Sequence, residues 1–236
     1  MRARYRLAAF CLFLFLAAQS FQDIAYRFWI PVTHGPADEL LNYLLPVDKV
    51  RALLIMGTIV ALIVPFTVIA LRYRNRAPLA SAMGLLFGVA FIGFELSYRS
   101  VDFFVIGQQW ALQFASTSGA SPAIILHRFA LWNGIVRGWY FPLMLSYLLA
   151  SCAFAAATWT DRHRGVWYWL APVAYVLNAL RLLGRILSTF AGQHWLDGLN
   201  DQLYFPAVFV INTLILIWFL VLAREEPALS LPDNRA

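Results

Sequence analysis

Six long apolar runs, with arginines clustered at every second junction, constrain this chain more than any other feature. The uncharged stretches cover residues 7–18, 52–71, 79–94, 138–157, 166–180 and 205–223. A helix needs roughly 20 apolar residues to cross the hydrocarbon of a bilayer, and five of the six approach that length once their ends are counted. Arg2, Arg4 and Arg6 precede the first run; Arg72, Arg74 and Arg76 separate the second from the third. Arg162 and Arg164 lie between the fourth and fifth, and Arg224 follows the sixth. Short arginine-rich loops stay in the cytoplasm, so the alternation predicts six crossings with both termini cytoplasmic.

Composition agrees. Of 236 residues 61% are hydrophobic and 13% charged, which leaves one membrane domain and almost nothing for a soluble one. The net charge of +6 is a topology signal and an anionic-lipid contact rather than a nucleic-acid surface. Arg2, Arg4, Arg6, Arg72, Arg74, Arg76, Arg162, Arg164, Arg224 and Arg235 are ten of the eighteen basic residues, and all flank the runs on one side. Cys11 and Cys152 have no metal-binding spacing and read as small core residues rather than a disulfide.

The predicted fold class is therefore all-α: a polytopic bundle of six transmembrane helices over about 6–27, 51–72, 79–116, 123–159, 165–191 and 203–224. The first helix also looks like a signal peptide, with Ala18-Gln19-Ser20 as a poor cleavage site. Gln19, Asp23 and Arg27 recur at helical spacing past that point, so it is read as retained. Between the first two crossings, residues 37–45 carry Asp38 and Glu39 in a first turn and then a leucine stripe. This predicts a short helix on the outer surface, or one packed as a lid over the bundle. From 79 to 116 there is no proline, and a helix of that length spans roughly 57 Å at ~1.5 Å per residue. It must protrude outward or bend near Gly107, with the equally long fourth helix as its partner and a turn over 117–122. Ala80, Gly84 and Gly88 form a close-packing stripe on the third helix.

Chemistry is expected away from the arginine-rich loops, because the apolar cores beside those loops carry few polar atoms. Asp23 and Arg27 end the first helix. Glu95, Arg99 and Asp102 fall at i, i+4 and i+7 on the third, Asn133 and Arg137 lie early in the fourth, and Asn178, Arg181 and Arg185 share a face of the fifth. Asn212 sits near the middle of the sixth. A charge in hydrocarbon costs about 2.5–3.5 kcal/mol even on the milder insertion scale, so these groups should face inward and pair. Three carboxylates (Asp23, Glu95, Asp102) face five arginines (Arg27, Arg99, Arg137, Arg181, Arg185), and the cationic surplus asks for a carboxylate, a phosphate or an anionic lipid headgroup. Snorkelling to ordinary lipid phosphates is the bland account, least suited to Glu95. His34, Asp38, Glu39, His127, His194, Asp197 and Asp201 are metal-ligand types without a recognised spacing, so no metal and no cofactor is expected.

The mixed charge face Glu95-Leu96-Ser97-Tyr98-Arg99-Ser100-Val101-Asp102, and the fifth helix entered through Trp167-Tyr168-Trp169-Leu170-Ala171-Pro172, resemble a group of uncharacterised bacterial six-helix membrane proteins of the domain-of-unknown-function type. The resemblance covers most of the chain through loose motifs. It implies a bacterial inner-membrane location and brings no assigned activity.

Three functions follow from the residues. The first is binding or handling of an anionic amphiphile, a lipid or isoprenoid, in an arginine-rich cavity open to the external face; Arg99, Arg137, Arg181 and Arg185 hold its head, with Asn178, Asp23, Arg27 and Asn212 around it. The second is an intramembrane enzyme, lipid-modifying or cyclase-like, with Glu95 as general acid and Asp102 as a further acid/base candidate. The third is a subunit whose charged faces pair with another membrane protein or a second copy.

Overall fold

The computed structural model describes residues 2–116 and 121–225, so the expected turn at 117–122 lies partly outside the described residues. Every described regular element is helical. Six helices are long and apolar enough to cross a membrane: Arg2–Trp29, Pro46–Tyr73, Pro78–Ser116, Pro122–Trp159, Val166–Phe190 and Asp197–Glu225. The chain is a multi-pass membrane protein.

Two helices start earlier than their apolar cores suggest. The second begins at Pro46 rather than near 51, because proline is favoured in a first turn and Asp48 complements the helix N-terminus there. The sixth begins at Asp197 rather than near 203, again with an acidic first turn, and it runs through Pro206. Within the second helix, Pro65 has no N–H to offer Ala61. The α-helix breaks at Leu62, where a tighter bond from Leu62 N to the Ile59 carbonyl (3.1 Å) takes over.

Each helix packs on the one that follows it, and the sixth closes back on the first, so the six form a ring. The half of the ring near the arginine-rich loops is filled solid. Tyr5, Tyr73, Phe154, Trp218 and Phe219 have no exposed surface there. Gly84 and Gly88 admit this packing: a Cβ on Gly84 would stand 2.6 Å from the Phe154 ring, and one on Gly88 would stand 2.7 Å from Phe66. The two rings meet at 5.5 Å.

This end also holds a buried ionic hub, at a junction where the sequence marks only a basic loop. Asp161, 1% exposed, accepts hydrogen bonds from Arg72 (2.8 Å), Tyr73 (3.0 Å) and Arg76, and Arg164 stands 3.7 Å away. Arg72 also donates to Tyr5 at 2.9 Å. Cys11 is buried, but Cys152 faces outward and is not the core residue it was read as.

At the far end the third helix neither breaks nor stops near Gly107. It widens into π-helical winding over Val101–Trp110 and returns to α-helix at Ala111–Ser116. The short helix is Pro36–Asn42, ending before the expected 45 because Tyr43 to Leu45 turn toward Pro46. It is a packed lid: Leu40 is fully buried with Ile106, Ala111, Ile125 and Phe129 in a second, smaller core.

Candidate functional site

All six helices line one cavity of about 110 Å³ inside the ring, several times the ~10–15 Å³ that one water needs. Its apolar wall includes Phe15, Ile59, Phe91, Leu143 and Val208. Its polar groups are Gln19, Glu95, Arg99, Asn178, Arg181 and Asn212, with Tyr140, Tyr147 and Tyr204 between them.

Of the residues singled out from sequence, five therefore meet at one place: Glu95, Arg99, Asn178, Arg181 and Asn212. Arg99 Nε donates to Glu95 Oε1 at 3.0 Å, an i, i+4 pair whose side chains are 17% and 11% exposed. The Arg99 guanidinium also lies 5.1 Å from the Tyr98 ring centroid. Arg181 donates from Nε and Nη2 to one acceptor, Asn178 Oδ1, at 3.2 and 3.1 Å. Asn178 Nδ2 in turn donates to Ser151 Oγ at 2.8 Å, which fixes the amide that holds the arginine. Among the described residues no carboxylate lies within ion-pair distance of Arg181. Asn212 Nδ2 donates to the Val208 carbonyl at 2.7 Å.

The other six do not line this cavity, and among them Asn133 is exposed on the fourth helix. Arg185 turns outward to Asp201, 2.9 Å away, with both side chains well exposed. The repulsion expected between Arg181 and Arg185 is relieved because they diverge to different partners. Arg137 is exposed on the outside of the fourth helix. Asp23 and Arg27 pair with each other at 2.8 Å on the surface. Asp102 lies at the start of the π-helical stretch Val101–Trp110 and does not border the cavity. It accepts instead from Trp132 Nε1 at 3.0 Å.

Asp102 belongs to a second cluster, at the far end, that sequence reasoning missed. Arg51 is 5% exposed and donates to Asp48 Oδ1 (2.8 Å) and Gln22 Oε1 (3.1 Å) while facing the Tyr26 ring. The i, i+3 spacing of Asp48 and Arg51 was the available signal, hidden because Arg51 stands just ahead of an apolar run. Two voids adjoin this cluster. One is a recess of about 320 Å³ bordered by Tyr26, Glu39, Tyr43, Asp48 and Arg51. The other is a gap of about 10 Å³ among Tyr43, Asp48, Arg51, Arg99, Asp102 and Gly107. Burial, with the Asp102 carboxylate nearby, pushes the Glu39 carboxyl above its ordinary range. Burial likewise pushes the Tyr43 phenol up, so it remains neutral. Among the described residues no three His, Cys, Asp or Glu side chains converge as metal ligands.

Fold and cavity together define a multi-pass membrane protein with a polar chamber closed at one end by aromatic packing. No protein-family model, no curated protein and no solved structure matches this chain.

Proposed function

We propose that the central cavity binds the anionic headgroup, carboxylate or phosphate, of a membrane amphiphile. The observation that carries this reading is Arg181: a guanidinium inside the ring that is hydrogen-bonded to a neutral amide and faces the Tyr204 ring, beside a second guanidinium already matched by Glu95. The chamber holds one positive charge more than its carboxylate offsets, and a half-buried cation of that kind favours an anion. Arg181 and Arg99 hold the head, Glu95 orients Arg99, and Asn178 and Asn212 supply neutral polar contacts. The solid aromatic half argues for binding or handling rather than for a through-pore.

The arginine-rich end faces the cytoplasm, following the rule for short basic loops; a reporter enzyme fused after Arg224 that is active only outside the cell would overturn that orientation. The test of binding is native mass spectrometry of the detergent-purified protein with hexadecanoate or farnesyl phosphate. Arg181→Ala should weaken retention at least tenfold, about 1.4 kcal/mol, with the melting temperature nearly unchanged. Equal losses of both would make Arg181 a structural group only.

Catalysis is the second reading, and one observation favours it. Arg99 engages one Glu95 oxygen, and Glu95 itself borders the cavity. A mass change in the bound ligand that Glu95→Gln abolishes, with binding retained, would select it.

A further inference from the structure

We propose that the central cavity encloses only the headgroup of its ligand, and that a single chain behind it leaves past Tyr204, between the fifth and sixth helices, into the surrounding lipid. The inference rests on the binding reading above and narrows it to single-chain amphiphiles with a small head.

Size gives the first half. An apolar cavity of roughly 150 Å³ takes up one benzene, so the space of about 110 Å³ here holds a carboxylate or a phosphate and little more. The chain of hexadecanoate or farnesyl phosphate is several times larger and must lie elsewhere.

The lining shows where. Among the described residues that line the cavity only Tyr204 is exposed, at 44%; Arg99, Tyr140, Tyr147 and Arg181 are half-buried, and the rest are buried. The Arg181 guanidinium lies 5.8 Å from the Tyr204 ring centroid, so a residue from each of two neighbouring helices marks the place where cavity meets surface. One turn further out, Arg185 pairs with Asp201 at 2.9 Å and Asn200 Nδ2 donates to the Gly184 carbonyl at 3.3 Å. These ties fasten the same two helices and bound the opening on the side away from the basic end. Pro206 has no N–H for the Gln202 carbonyl, so the sixth helix lacks one of its own bonds beside Tyr204. The surface reached is apolar: Leu177, one turn from Arg181, and Leu203, next to Tyr204, are 41% and 50% exposed. A head drawn in to Arg181 and Arg99 thus leaves its chain among apolar groups, and only the head crosses the seam.

Hexadecanoate carrying a mid-chain diazirine tests the route. The probe is bound to the detergent-purified protein and irradiated, and the labelled peptides are mapped by mass. Label should fall on the segments holding Leu177 and Leu203, and should drop at least tenfold with excess unlabelled hexadecanoate or in Arg181→Ala. Label on Phe15 or Phe91, in the buried wall, would overturn the route and leave the binding reading standing. Seam label that neither competitor nor variant reduces would mark ordinary lipid contact and overturn the route as well. If the probe is not retained at all, the binding reading falls and this proposal with it. Dipalmitoyl phosphatidylglycerol, with two chains behind a bulkier head, should displace the probe at least tenfold less well than hexadecanoate. Equal displacement would overturn the single-chain class.

Discussion

Arg72 and Asp161, 89 positions apart, form a 2.8 Å ion pair that ties the second helix to the junction of the fourth and fifth. Both side chains are nearly withdrawn from solvent, at 10% and 1% exposure. A buried pair adds little by itself, because desolvation offsets attraction, but removing one member strands the other. Asp161→Ala leaves Arg72 and the Tyr73 hydroxyl without this acceptor and should cost about 3–5 kcal/mol. Arg185→Ala breaks an exposed pair and should cost about 0–1 kcal/mol. Unfolding of the two variants in the same detergent makes the comparison, and similar losses would contradict it.

The third helix offers a paired test of packing. Gly84→Val drives a branched side chain into Phe154, which is fully buried and cannot yield, so it should destabilise by about 1–3 kcal/mol. Gly93, nine residues along the same helix, has nothing within 4 Å of its would-be Cβ. Gly93→Ala should be neutral or stabilising by up to about 1 kcal/mol. Melting temperatures that moved together would mean the stripe is not a contact face.

Asn178 links fold to site, accepting both Arg181 bonds while donating to Ser151. Asn178→Leu keeps the volume and removes the tether. Arg181 should lose its fixed position, and hexadecanoate affinity should fall about tenfold, or 1.4 kcal/mol. Ser151 keeps its own bond to the Tyr147 carbonyl at 2.8 Å, so stability should change little. Titration of the purified variant checks the first point, and thermal unfolding the second.

Glu39 predicts a pH dependence. Its folded-state carboxyl binds a proton more tightly than in the unfolded chain, because of burial and the neighbouring Asp102. Stability should be fullest below the unfolded value of about 4.3 and should fall as pH rises through the higher folded value. That burial is only partial and the residue still reaches solvent, so screening keeps the effect below about 1 kcal/mol. Glu39→Gln should flatten the slope of melting temperature between about pH 4 and 7, and an unaltered slope would assign it elsewhere.

Much of the architecture was legible because membrane helices are written in local terms. An apolar run long enough to cross hydrocarbon has few alternatives to helix there, since no water is present to satisfy an open backbone. The arginine clusters marked which junctions lie together. The Gly84 and Gly88 stripe was readable as a contact face because small residues at that spacing let helices approach. Glu95 and Arg99 were readable as a pair from their i, i+4 spacing.

Other features depended on distant partners. Asp161 looked like an ordinary loop acid, yet Arg72, Tyr73 and Arg76 converge on it from a different junction. Arg51 looked like a helix flank until the first helix brought Gln22 and Tyr26 against it. Arg181 and Arg185 share a helical face, and only the position of the sixth helix sent one inward and the other to Asp201. The π-helical winding over Val101–Trp110 had no signature in residue type. Periodicity and charge placement thus determined the helices, their number and their common basic end, because those follow from transfer into a bilayer one segment at a time. Which polar groups meet, and the chamber they enclose, was decided by tertiary packing, because the ring brings together side chains that no spacing along one helix relates.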